Sequence, residues 1–251
     1  MSGATETLGA RLKTHPAAKP KYWLIPLGVA IAAGGVFAAV GPWLYPDPRA
    51  GMGTNIGLGI FGLLFFLLGV LAVVTVFKGR SRVVHVHEHG IIQHRGKKTE
   101  QMLWDEVATL LADRLTLTQA GGLITHEIAT FKLKTDTGKK LTLDHLLADI
   151  SSLGEHVEAQ VTRSLLPKVQ ARLAKGESVA FSPLIVTSQG LARGKHTLPW
   201  GRLAGAEVTQ GEVRIFGHGE PSAWTRVRYG SLTNAQTLLS LLSSRVKAIR
   251  S

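Results

Sequence analysis

Two uninterrupted apolar stretches dominate the first third of the chain. They cover 22–45 (YWLIPLGVAIAAGGVFAAVGPWLY) and 56–77 (IGLGIFGLLFFLLGVLAVVTVF), and neither holds a charged side chain. Each reaches the roughly 20 residues a helix needs to cross about 30 Å of hydrocarbon. A surface helix would carry a polar stripe at helical spacing, and neither stretch has one. The first is also longer than the roughly 7–15 apolar residues of a secretory signal, and a second full span follows it directly. The pattern predicts a transmembrane hairpin over 22–77 behind a tail over 1–21. Trp23, Trp43, Tyr22 and Tyr45 flank the first span, where aromatic rings favour the headgroup zone.

Small residues recur at Ala30, Gly34 and Ala38, with Gly35 and Ala39 beside them. This strip is expected to let the two spans approach closely. Pro26, near the start of its span, predicts a slight bend. Neither span contains Asp, Glu, Lys, Arg or His, so transport or proton relay by this chain alone is not expected.

Beyond residue 77 the pattern becomes short and alternating, and it repeats. The first half reads VVHVHEHGIIQHRGKKTEQMLWDEVATLL from Val83, and the second reads PLIVTSQGLARGKHTLPWGRLAGAEV from Pro183. Both give a strand, a glycine turn, a strand with a basic tip, a step into tryptophan, and an alternating strand. Gly90 aligns with Gly190, Arg95-Gly96-Lys97 with Arg193-Gly194-Lys195, and Trp104 with Trp200. Further strand-like segments follow over 123–135 and 139–143, and over 212–216 and 223–229. Each half then closes with a one-sided helix. Leu146, Ile150, Leu153, Val157, Val161 and Leu165 mark the first; Leu238, Leu242, Val246 and Ile249 mark the second, with Asn234 as its N-cap. Pro167 is expected to end or kink the first helix, with a short helix to Lys175 after it. Two units follow, over 78–175 and 176–251.

A bent antiparallel sheet closed by a C-terminal helix is the pleckstrin-homology-like (PH-like) architecture. The phrases HEHGIIQHRGKKTEQMLWDEVATLL and FSPLIVTSQGLARGKHTLPWGRLAGAEV resemble those of bacterial membrane-anchored PH-like proteins. The likeness is to an uncharacterised bacterial family with a two-helix transmembrane hairpin and tandem PH-like units, and it covers most of 54–251. It implies a membrane α-helical hairpin plus an α+β region of two tandem PH-like units. The second unit departs from the first at Gly201-Arg202, where the first has Asp105-Glu106.

Charge adds an orientation. The 251 residues carry 29 Lys+Arg against 17 Asp+Glu, a formal net charge of +12. Arg11, Lys13, Lys19 and Lys21 precede the hairpin, and Lys78, Arg80 and Arg82 follow it; the connecting loop holds Arg49 offset by Asp47. By the positive-inside rule this predicts a multi-pass protein of the plasma (inner) membrane with both termini cytoplasmic. With no cysteine, disulfides, thiolate metal sites and thiol nucleophiles are excluded.

Candidate chemistry is sparse. His85, His87 and His89 alternate, with His94 across the turn, and imidazoles so placed are weak candidates for zinc or nickel. No carboxylate or cysteine completes a set, so Val84 and Val86 are read as core, the histidines as solvent-facing, and no metal or cofactor is expected. Phosphate loops, HExxH helices and GxSxG elbows are absent. Asp105-Glu106 reads as a turn or helix start, and Glu155 with Glu158 as a solvated helix face. Trp104, Trp200 and Trp224 read as core aromatics. The basic tips offer the binding candidates: Arg95, Lys97 and Lys98 in one unit, Arg193 and Lys195 in the other. Cations near an anionic leaflet contribute about 1 kcal/mol each. Without aromatic interleaving or a recognition helix, nucleic acid is not an expected partner. The expectation is a non-enzymatic binding or scaffold protein at the cytoplasmic face, meeting the bilayer, anionic lipid headgroups, other membrane proteins or its own copies. The alternative is an accessory subunit of a larger transport or stress-response complex whose chemistry lies in another chain.

Overall fold

A computed structural model describes residues 7–18, 24–44, 52–78, 82–119 and 124–250. The chain divides into two units, one spanning Ala17–Arg82 and one combining Met1–Pro16 with Val83–Ser251.

The first unit is a pair of helices, α1 (Leu24–Leu44) and α2 (Met52–Lys78). Ile25–Leu44 and Thr54–Val74 are long and apolar enough to cross a membrane, with mean hydropathies of 1.8 and 2.7. Among the described residues of this pair, only Gly28, Gly35, Gly62 and Gly69 are buried. They fall seven apart on each helix, two turns along one face. A Cβ added at Gly35 would lie 2.5 Å from the Phe66 nitrogen, and one at Gly62 2.5 Å from the Ala39 nitrogen. Gly28 faces Gly69 and Gly35 faces Gly62, so the helices run antiparallel with their backbones in contact. The expected strip is therefore displaced. Ala30 and Gly34 are exposed, and a Cβ at Gly34 would meet nothing within 4 Å. One residue along a helix is about 100° around its axis, which separates Gly34 from Gly35. Pro26 falls in the first turn, where its missing N–H has no acceptor to lose. The bulky side chains point outward, with Phe37 72% and Ile60 66% exposed. An apolar surface of this kind suits lipid and not water.

The second unit contains two copies of one module. In the first, β1 (Arg11–Pro16), β2 (Arg82–His87), β3 (Gly90–Arg95) and β4 (Lys98–Leu103) form a sheet in that order. A second sheet joins β5 (Val107–Gln119), β6 (Ile124–Thr135) and β7 (Lys140–Leu143), and α3 (Ile150–Ala174) follows. The second module repeats the plan. Its four-stranded sheet is β8 (Val179–Phe181), β9 (Leu184–Val186), β10 (Gly190–Arg193) and β11 (His196–Pro199). Its three-stranded sheet is β12 (Leu203–Thr209), β13 (Glu212–Gly217) and β14 (Thr225–Arg228), closed by α4 (Ala235–Arg250).

The tail over 1–21 is thus not a free tail: β1 pairs antiparallel with β2, Thr14 opposite His85 and Pro16 opposite Val83. Its counterpart is β8, and the hairpin of helices occupies the chain position that Ser182-Pro183 fills between β8 and β9. The equivalence extends to single bonds. Ala148 donates its N–H to the Pro16 carbonyl at 2.8 Å, and Thr233 donates to that of Ser182 at 3.3 Å. The next residues, Asp149 and Asn234, are both left-handed, at φ 54° and 53°. The Trp104 indole donates to the His87 carbonyl at 3.2 Å, and that of Trp200 is shared between the Thr187 carbonyl at 3.2 Å and the Ser188 carbonyl at 3.0 Å. Gly90 and Gly190 leave no room for a side chain, since a Cβ there would lie 2.5 Å and 2.2 Å from the Met102 and Leu198 carbonyl oxygens.

Each module has its own core. Val84, Val86, Ile91, Phe131, Leu141, Leu153 and Val157 belong to the first, and Phe181, Leu184, Leu191, Val213, Ile215 and Leu238 to the second. Helix α3 serves both, with Leu165 in the first core and Val169 and Leu173 in the second. It runs unbroken through Pro167, so the helix does not end there and no separate short helix follows, and Leu146 lies before it. Pro167 is on the exposed face, where the carbonyl it deprives of a partner meets solvent, and buried contacts hold the helix on both sides. Trp104 is buried as expected, but Trp200 is half-buried, with the Arg245 guanidinium 5.4 Å above its ring.

Candidate functional site

The two basic tips share a backbone and differ in charge. Each is a two-residue hairpin turn with glycine first, Gly96 at φ 61° and Gly194 at φ 58°. Lys98 pairs with Glu100 at 2.6 Å. Arg193 turns inward: its guanidinium donates to the Thr225 hydroxyl and, at 3.0 Å, to the Arg226 carbonyl, fastening β10 to β14. Among the described residues, Arg95, Lys97 and Lys195 make no ion pair. The strand order β1-β2-β3-β4 puts the β3–β4 turn at the end of its sheet where the chain leaves at Pro16 and returns at Val83.

The histidines do not converge. His85 is half-buried, with Nδ1 3.0 Å from the Thr14 hydroxyl and its ring 5.4 Å from that of His94. His87 is buried, with Nδ1 3.1 Å from the Gly9 carbonyl, and His89 is exposed in the turn. Val84 and Val86 are core, as alternation requires, but His87 does not face water, because the segment before β1 covers it. No group of three or more His, Asp or Glu that could hold a metal occurs among the described residues.

The polar network with most structure lies between the modules. Glu158, expected on a solvated face, is 6% exposed. The Tyr229 hydroxyl donates to its Oε1 at 2.7 Å and the Arg114 guanidinium to its Oε2 at 2.5 Å. Burial pushes the Glu158 carboxyl above the usual carboxylate range, although the Tyr229 and Arg114 hydrogen bonds pull the other way. Burial and the Glu158 charge push the Tyr229 phenol well above its ordinary value. These three residues line an open cleft of about 1030 Å³ shared by both modules, with Asp113, Glu155 and Arg228. Both carboxylate oxygens are engaged, so Glu158 joins α3 to Arg114 of β5 and to Tyr229.

Asn234 makes the second joint. The Leu110 N–H donates to its side-chain oxygen at 2.7 Å, its side-chain amide donates to the Ala108 carbonyl at 2.9 Å, and its own N–H donates to the Leu110 carbonyl at 2.8 Å. Asn234 stands directly before α4, at the N-cap position, and its side chain extends the β5 ladder by one residue. Thr162 on α3 and Thr237 on α4 add a hydroxyl pair at 3.2 Å. No local pattern marks Arg114, Tyr229 and Asn234 as joining residues, since their partners lie 44 to 126 positions away.

These observations define a class: an α+β protein with two copies of one module, the first interrupted by two apolar helices that are candidate membrane spans. The chain belongs to a family of unknown function (DUF6585), whose model matches residues 2–251. No curated protein and no solved structure matches it.

Proposed function

We propose that the protein is a membrane-anchored, non-enzymatic binding or scaffold protein of the bacterial inner membrane, with two PH-like modules at the cytoplasmic face. The observation that carries this reading is the pairing of β1 with β2 across the apolar hairpin. A strand before the spans and a strand after them can share one sheet only if both lie on the same side of the bilayer. The Lys/Arg bias supports the cytoplasm as that side. A four-stranded sheet, a three-stranded sheet and a closing helix, present twice, support the PH-like reading. Arg95, Lys97 and Lys98 lie at the end of the sheet from which the anchor departs, which favours the first tip over the second for anionic headgroups. Arg193 is committed to β14, so Lys195 remains as the second tip's lysine.

The test is co-sedimentation with anionic vesicles of a chain in which a short Gly-Ser linker replaces 17–81, so that β1 and β2 are retained. Binding should weaken steeply as salt shrinks the Debye length from about 10 Å at 0.1 M to about 3 Å at 1 M. It should vanish when Arg95, Lys97 and Lys98 become Ser and persist when Arg193 and Lys195 do. Binding that survives the first change refutes the lipid assignment. Absence of any vesicle binding transfers the role to a protein partner, sought by co-purification of the full chain from native membranes.

A further inference from the structure

We propose that β1 is a pH-sensitive clasp: protonation of His15 and His156 loosens from α3 the strand that leads into the apolar hairpin. His15 is 2% exposed in the seam between β1 and α3, with Nδ1 3.4 Å from the Ala148 carbonyl, at the long limit for a hydrogen bond. His156 comes from α3, and its Nε2 is buried with no hydrogen-bond partner. Among the described residues, no carboxylate is hydrogen-bonded to either imidazole. Asp149, which faces His15, is taken by Lys13, whose ammonium donates to it at 3.2 Å and to the Ser152 hydroxyl at 2.8 Å. The groups facing His15 are thus Lys13, Asp149, His156 and the Ala148 carbonyl, and Lys13 also faces His156. On the other side of β1, His85 meets Thr14 amid Arg11, His87 and His94, and Glu88 accepts the Ala10 N–H at 3.2 Å. Each added proton therefore meets the Lys13 ammonium, and the Asp149 carboxylate beside it is already paired with that lysine.

Burial holds both imidazoles below their ordinary 6.5, and the neighbouring Lys13 acts in the same direction. The docked strand thus binds fewer protons than the released one. Docking is at full strength above about pH 7 and is lost as pH falls through 6.5 toward the lowered values. The second module supplies a control, because β8 reads Val-Ala-Phe and carries no titratable side chain. The clasp rests on the fold alone and stands whether or not the tips bind lipid.

The experiment is hydrogen exchange on the full chain in nanodiscs between about pH 7.5 and 5.5, corrected for intrinsic exchange chemistry. It follows the Ala148 amide, bonded to the Pro16 carbonyl, against the Thr233 amide, bonded to that of Ser182. Opening at Ala148 should rise by up to about tenfold for each histidine kept neutral in the docked strand, while Thr233 stays level. His156→Leu should remove part of the rise, and His15→Phe with His156→Leu most of it. Equal responses at Ala148 and Thr233, or a full response in His156→Leu, overturn the proposal. Should the double variant not fold, the wild-type comparison of the two amides decides.

Discussion

Asn234 concentrates the joint between the modules in one side chain, which makes it the sharpest place to perturb the fold. Asn234→Ala keeps the backbone bond to the Leu110 carbonyl but deprives the Leu110 N–H and the Ala108 carbonyl of partners. A part-buried group left unpaired costs about 1 kcal/mol, toward the low end of the buried range. Alanine must also hold a φ of 53°, which asparagine tolerates and which costs an ordinary L-residue about 1 kcal/mol more. The expected destabilisation is about 3 kcal/mol. Asn234→Gly relieves the backbone and loses the same two bonds, so about 2 kcal/mol should remain. Asn234→Asp keeps the acceptor for Leu110 but turns a second oxygen toward the Ala108 carbonyl, and should be no better than glycine. The assay is urea unfolding of the full chain in nanodiscs followed by tryptophan fluorescence. A glycine variant within about 0.5 kcal/mol of wild type would show instead that the two side-chain bonds contribute nothing.

Four further outcomes are expected. Gly154→Ala puts a Cβ 1.9 Å from Cζ of Phe131, so it should destabilise by about 1–3 kcal/mol in the same assay and be relieved by Phe131→Leu. Glu158 ionises less readily folded than at its ordinary 4.5, so stability should fall as pH rises from 4.5 through the raised value. The difference in Tm between wild type and Glu158→Gln, followed from acid to neutral pH, should show that slope; a slope of opposite sign would contradict it. Gly62→Leu should disrupt the hairpin and Gly34→Leu should not, read as thermal stability in detergent. Trp104→Ala should cost about 3–5 kcal/mol, and Trp200→Ala less, since its ring is half-buried.

The readable parts of the sequence were those where local pattern and tertiary burial agree. Val84 and Val86 alternate and are core, the glycine turns sit where Gly96 and Gly194 require, and the two apolar spans are helices. Strand β1 was hidden because its only aliphatic side chain, Leu12, is 49% exposed while its buried residue is a histidine. Nothing local marks such a strand, whose partner lies beyond the hairpin. Small residues announced a close helix pair, but the choice between the Gly34 and Gly35 faces depends on the partner helix. Proline usually ends a helix, yet Pro167 is carried by Leu165 and Val169, buried in different cores. The candidate tips were found by their spacing, whereas the inward turn of Arg193 depends on Thr225, 32 positions away. Glu158 had one faint signal: it flanks the apolar stripe of Val157 and Val161 rather than opposing it.

The central claim is that the apolar hairpin is inserted between two paired strands of one module. Its most direct test is oxidative crosslinking of Thr14→Cys with His85→Cys in native membranes, in a chain with no other cysteine. Thr14 and His85 are register partners whose side chains meet at 3.0 Å. The account predicts near-complete disulfide formation within the monomer, and none when position 14 is paired instead with Ile185→Cys of the second module. Failure of the 14–85 pair to crosslink, in a folded chain whose two cysteines both react with a small thiol reagent, would contradict it.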